Sequence, residues 1–207
     1  MEQPPVERQK TGKRLLGVSR KALQRIGYLA LAYRLTDEQA FAERAEQEML
    51  AAAAFTDWNP SHFLDVAEMT AALAIGYDWL HAVLPASSRE TIRTAIIELG
   101  LRTSLDGGWW VDAENNWNQV CHGGLALGAL AVAEHAPDLA QQVITRGRDN
   151  IHHALAAYEP DGIYPEGPAY WQYGTTYNVL WIAALESALD DDLGLGDHEA
   201  FRASADF

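Results

Sequence analysis

The chain carries one cysteine, Cys121, so no disulfide can close within it, and cysteine usage leaves the redox compartment open. Cations are scarce too. Lys and Arg number 15 against 29 Asp and Glu, a formal charge of −14 over 207 residues. Nucleic acid and anionic membranes are held by clustered cations that displace counterions, and this balance argues against both as partners. No apolar run approaches the roughly 20 residues that span a bilayer, so membrane insertion is not expected. Residues 1–14 are polar and lack the apolar centre of a signal peptide, so none is expected within this chain. His-Glu-x-x-His, Gly-x-Ser-x-Gly and phosphate-loop patterns are missing, and His152 and His153 are adjacent rather than one helical turn apart. No metal and no cofactor is expected.

What remains is helix. An apolar share of 48% with 21% charged residues excludes a disordered or fibrous chain and suits one globular domain. Apolar residues recur at helical spacing, as in Leu23, Ile26, Leu29, Ala30 and Tyr33, or Phe63, Val66, Met69, Leu73 and Tyr77, while strand-like alternation is hard to find. This periodicity predicts helices near 19–35, 37–54, 61–82, 87–104, 117–134, 138–157 and 174–189, after a polar segment over 1–18. Thr36 and Ser61 stand at expected starts, and Ser87 with Glu90 has capping-box spacing. Paired, these segments make antiparallel hairpins whose starts recur at roughly 40 to 55 residues, as in stacked helix pairs. The fold class is therefore all-α.

The connections within hairpins are short and plain, whereas those between hairpins, 55–60, 105–116 and 158–172, carry the unusual residues. In an up-down array every second connection emerges at one end, so these three loops should crown a common rim. Trp58, Trp109, Trp110, Trp117 and Trp171 gather on or beside them, more indole than a solvated rim needs unless a ligand stacks there. Flat apolar faces edged by amides suit sugar rings. Filling the tops of interhelix grooves is the competing reading of each tryptophan.

Asn115, Asn116, Trp117, Asn118, Gln119, Val120, Cys121, His122, Gly123 and Gly124 form the densest polar run. One asparagine can cap the helix opening there, and the spare amide beside helix N-terminal N–H groups is placed to hold a carboxylate. His122 is either a packed residue or a proton-transfer group facing the rim, and the two glycines allow another backbone to come close. Tyr170 and Tyr173 flank Trp171, and each phenol is either packing or a proton-transfer group near an Asn and a His. Asp161 reads as a turn residue, and Glu166, with no helix to cap, can orient a neighbour or bind a sugar hydroxyl.

Four stretches, Trp58 to Asp65, Gly76-Tyr77-Asp78-Trp79, Asn115 to Cys121, and Tyr164-Pro165-Glu166-Gly167-Pro168-Ala169-Tyr170-Trp171-Gln172-Tyr173-Gly174, resemble, in order, the helical domain of the heparinase II/III-like polysaccharide lyases. The resemblance implies an incomplete (α/α) toroid over 19–207, followed in relatives by β-sandwich regions with further substrate-contacting His and Tyr residues. The chain ends at Phe207, so it is expected to match only the helical part, and full activity from these residues alone is doubtful. It also implies a bacterial periplasmic or secreted setting and an anionic polysaccharide or oligosaccharide as partner.

The implied activity is β-elimination at a uronic acid, in which an amide neutralises the carboxylate, a Tyr or His takes the C5 proton, and a Tyr protonates the leaving oxygen. Carried over by motif, Asn116 would neutralise the carboxylate with Asn115 behind it, and Tyr173 would be the catalytic phenol with Tyr170 as its competitor. Relatives with Asn-Asn-His or Asn-His in this motif place a catalytic histidine where this chain has Trp117, and His122 is the candidate to take its place, a choice the motif leaves open. Trp58, Trp110, Trp117, Asn118, Glu166 and Trp171 complete the expected sugar-binding set. Two other readings stay open: an inverting glycoside hydrolase on the same fold, using Asp161 and Glu166, and a non-catalytic carbohydrate-binding fragment. The sequence carries no sign of oligomeric state.

Overall fold

The computed structural model describes residues 3–206, so Met1, Glu2 and Phe207, at the ends of the expected segments, lie outside the described residues. The expected all-α class is borne out: helices follow one another with no strand among the described residues. They are α1 (Leu16–Thr36), α2 (Gln39–Ala53), α3 (Leu64–Leu80), α4 (Ala86–Ala95), α5 (Asn116–Val132), α6 (Pro137–Asn150), the short α7 (His152–Leu155), α8 (Pro168–Leu189) and the short α9 (Glu199–Ala203). Beyond α4 the chain continues through a wider π turn, Ile96–Leu101, and a tighter 3-10 turn, Arg102–Asp106, where one helix over 87–104 was expected.

The arrangement follows from how apolar each helix is. Nearly every residue of α3 and α5 is buried, whereas α2, α4 and α6 bury only one side. A helix apolar all round belongs in the interior, and a striped one belongs outside. Accordingly α1 packs on α3, α3 on α5 and α5 on α8 to make one row, while α2 lies against α1, α4 against α2 and α3, and α6 against α5. Residues at the N-terminal ends of α1, α3, α5 and α8 line one groove, so the four helices of the row point the same way.

Two adjacent glycines set the spacing of the row. A Cβ on Gly124 would lie 2.5 Å from the Ala67 carbonyl oxygen of α3, and one on Gly123 would lie 2.8 Å from the Tyr177 carbonyl oxygen of α8. α5 is thus clamped between two backbones, the close approach that the pair of glycines predicts.

Local signals were mixed. Asn115 caps α5 as one reading had it, its Oδ1 accepting the Trp117 N–H at 3.0 Å. The capping box at Ser87 is not formed, because α4 starts at Ala86 directly after Pro85 and Ser87 lies inside it. α8 starts at Pro168 rather than near 174, since a proline in the first turn has its backbone preset for helix and gives up no needed donor. The polar segment before α1 is anchored: Val6 and Leu15 are buried, the Val6 N–H donates to Glu48 at 2.8 Å, and helix begins at Leu16, not 19.

Candidate functional site

Where the four parallel N-terminal ends meet, they enclose a groove of about 560 Å³. The segment before α1 contributes Arg14, and α1 itself Leu16 and Arg20; the turn into α3 contributes His62, and α3 its first residue, Leu64; α5 contributes Asn116 and Trp117; α8 contributes Tyr170, Tyr173 and Tyr177. Each helix end leaves N–H groups unpaired and carries a partial positive charge, so the groove gathers donors and positive potential in one place. Arg14 and Arg20 add full charges. An acidic chain thereby holds a local site suited to an anion.

Two buried carboxylates of α3, one turn apart, organise this surface from beneath. Asp65 accepts from His62 Nδ1 at 2.6 Å with one oxygen, and from the Leu15 N–H at 2.6 Å and Asn59 Nδ2 at 2.6 Å with the other. Glu68, only 1% exposed, accepts a short hydrogen bond from the Tyr173 hydroxyl and one from Arg20 Nε at 3.1 Å. The Arg20 guanidinium also lies over the Tyr173 ring, 4.8 Å from its centre. Burial pushes the Glu68 carboxyl above its usual range, against the pull of Tyr173 and Arg20. Burial, then the Glu68 charge, holds the Tyr173 phenol far above its ordinary range, so it keeps its proton. For Arg20, burial opposes the charge and Glu68 more than offsets it, leaving the guanidinium firmly protonated.

Of the residues singled out from sequence, Asn116, Trp117, Tyr170 and Tyr173 share this groove. Trp117 extends it as an aromatic strip, standing edge-on to His62 at 4.8 Å and tilted against the exposed Trp109 at 4.6 Å. Asn115 stays at the helix mouth as a cap.

The others are elsewhere. His122 is buried, accepts no place on the groove, bonds the Val111 carbonyl through Nε2 at 3.0 Å and faces the Trp110 ring at 5.2 Å; burial depresses its pKa to about 4. Trp58 is enclosed, donating to the Ala52 carbonyl at 3.0 Å, and Trp110 is stacked on Phe63 at 4.6 Å. Both fill interhelix space, the competing reading of each. Asn118 is fully buried and ties the 105–116 loop to the end of α6, donating to the Val111 carbonyl at 2.7 Å and the Asn150 carbonyl at 3.1 Å. Trp171 packs against the smaller core built around Tyr158, Tyr164 and Trp181. Glu166 is exposed and accepts from the Tyr164 hydroxyl at 3.2 Å, while Asp161 accepts from the Ile163 N–H at 3.4 Å in a turn. Neither carboxylate lines the groove.

Sequence reasoning passed over His62, Asp65, Glu68, Arg14 and Arg20. Two signals could have found them. His62, Asp65 and Glu68 stand three apart, on one helical face. Arg8, Lys10, Lys13, Arg14, Arg20, Lys21 and Arg25 crowd into the first 25 residues beside only Glu2 and Glu7, a basic start to an acidic chain. Among the described residues no group of His, Cys, Asp and Glu is arranged to hold a metal. Compared with known families and with curated proteins, the chain matches no family model and no curated sequence.

Proposed function

We propose that the groove binds a uronic-acid unit of an anionic polysaccharide and cleaves its glycosidic link by β-elimination. The observation that carries this reading is that Asn116, Tyr173, Arg14 and Arg20 line one groove at the N-terminal ends of four helices. A uronate carboxylate seated there is neutralised by the Asn116 amide and the surrounding donors, which acidifies the adjacent C5–H. Removing that proton drives electrons into a C4–C5 double bond as the C4–O bond breaks. Burial keeps the Tyr173 phenol protonated, so it has a proton to give to the leaving oxygen, and Tyr173 takes that role. Tyr170 is half exposed and has no such anchoring partner. Trp117 and Trp109 offer faces for sugar rings.

The motif likeness to heparinase II/III-like lyases supports the same chemistry, and we read the row of parallel helices with its outer layer as an arc of an incomplete (α/α) toroid. The hydrolase alternative loses ground because Asp161 and Glu166 do not line the groove.

Incubating the chain with alginate, heparan-type and pectin-type polymers and following ultraviolet absorbance tests the proposal. Unsaturated uronyl ends are expected from at least one polymer, and Tyr173→Phe should slow their appearance by ~10²–10⁴-fold. New reducing ends without absorbance would replace the lyase by a hydrolase, and binding without cleavage would leave a carbohydrate-binding module.

A further inference from the structure

We infer that His62, held by Asp65, is the base that takes the C5 proton, while Tyr173, held by Glu68, is its partner acid. This assignment rests on the lyase reading and adds to it the group that starts the reaction. His62 lines the groove together with Asn116 and Tyr173, and its Nδ1 lies 2.6 Å from Asp65 Oδ1. The other Asp65 oxygen is fixed by the Leu15 N–H and by Asn59 Nδ2, each at 2.6 Å. A carboxylate caught between three donors accepts from Nδ1–H, which places the imidazole lone pair on Nε2, at the ring edge turned from Asp65. The edge of the ring against Trp117, 4.8 Å between centres, limits its swing.

The alternatives are weaker on geometry. His122 is sealed against Trp110 and the Val111 carbonyl, away from the groove. Tyr173 keeps its proton, and a protonated phenol cannot act as the base, although it can act as the acid. α3 thus supports both proton-transfer groups from one face: Asp65 beneath the base, and Glu68, one turn on, beneath the acid.

In the step itself the His62 Nε2 lone pair takes the proton from C5, the C5–H electrons form the double bond to C4, and the C4–O electrons leave with the oxygen. That oxygen takes the Tyr173 phenolic proton. Water then carries a proton from the His62 imidazolium to the Tyr173 phenolate, and the site is restored. The Asp65 charge stabilises the imidazolium while it lasts, so Asp65 is a positioning residue.

His62→Ala, His62→Gln and Asp65→Asn, made in the full chain, test this alongside the wild type, with thermal transitions and uronate oligosaccharide binding checked for each. Wild type should form unsaturated ends, and both His62 variants should lose kcat by ~10²–10⁴-fold with KM changed little. Added imidazole should restore part of the His62→Ala rate and none of the Tyr173→Phe rate, a distinction that a merely structural role would not produce. Asp65→Asn should lower kcat without rescue, because the amide favours the wrong tautomer. A folded His62→Ala or His62→Gln protein that eliminates at the wild-type rate would overturn the assignment and leave the lyase reading standing. A wild type that forms no unsaturated end on any uronate polymer would overturn the lyase reading and the base with it.

Discussion

At the residue scale the Glu68–Tyr173–Arg20 contact fixes what the phenol can do. The Glu68 charge is one of the forces holding the Tyr173 proton in place, after burial. In Glu68→Gln that charge is gone while the Arg20 guanidinium remains, so the phenol should ionise at lower pH than in wild type. Tyrosinate absorbance, with Tyr173→Phe as the reference, reads this directly; an unmoved or higher titration would mean that Glu68 does not govern the phenol. His122 makes a separate prediction about stability. Its pKa is about 4 in the fold against an ordinary 6.5, so between these values the unfolded chain binds a proton that the native state refuses. The stability it contributes is therefore present above pH 6.5 and drains away as pH falls toward 4. Across that window wild type should lose roughly 3 kcal/mol more than His122→Asn, measured by urea unfolding at each pH. Equal losses would contradict the burial argument.

At the element scale the clamp on α5 is the feature most open to attack. Gly124→Ala would push a methyl into the Ala67 carbonyl, 2.5 Å away, where backbone rather than a movable side chain must yield. A loss of about 1–3 kcal/mol is expected in chemical denaturation, against the small gain alanine gives an exposed helix position. Asn115→Ala should cost about 1 kcal/mol through the lost cap. The helices themselves were legible because apolar periodicity survives any detail of packing. Starts were less so: Pro85 outranked Ser87, and Pro168 extended α8 back over Tyr170 and Tyr173. Facing was also partly within reach. At 3.6 residues per turn, His122 is about 240° around α5 from Asn116, so the two could not share a groove, whereas Tyr170 and Tyr173 are only about 60° apart. What no single-helix geometry reveals is which face meets which neighbour, and this is why Trp58, Trp110 and Asn118 turned out to be enclosed. His62 escaped notice for the same reason: its worth depends on Asp65 being buried and fixed by Leu15 and Asn59.

At the scale of the whole molecule the charge distribution matters more than its sum. A net −14 alone would repel a polyanion, and salt would then improve binding by screening. Arg14 and Arg20 stand in the wall of the groove, Arg20 paired with the buried Glu68, so cations line the groove of an acidic chain. Affinity for a uronate polymer should therefore fall several-fold as ionic strength rises from roughly 0.05 to 0.2 M, and Arg14→Ala should reduce that dependence. Affinity that rises with salt would mean that the global charge dominates and that the polymer does not lie along α1.

The chemistry of the product bears most directly on the account. Elimination breaks the C4–O bond with no water entering, whereas hydrolysis incorporates one oxygen from solvent. Digesting a uronate polymer in heavy-oxygen water and weighing the fragments separates the two. Unsaturated non-reducing ends are expected, each lighter than a hydrolysed non-reducing end by one water, with no solvent oxygen in the products and with their formation suppressed in Tyr173→Phe. Saturated non-reducing ends formed together with new reducing ends that carry the heavy oxygen, or unsaturated ends formed equally well without the Tyr173 hydroxyl, would contradict the account.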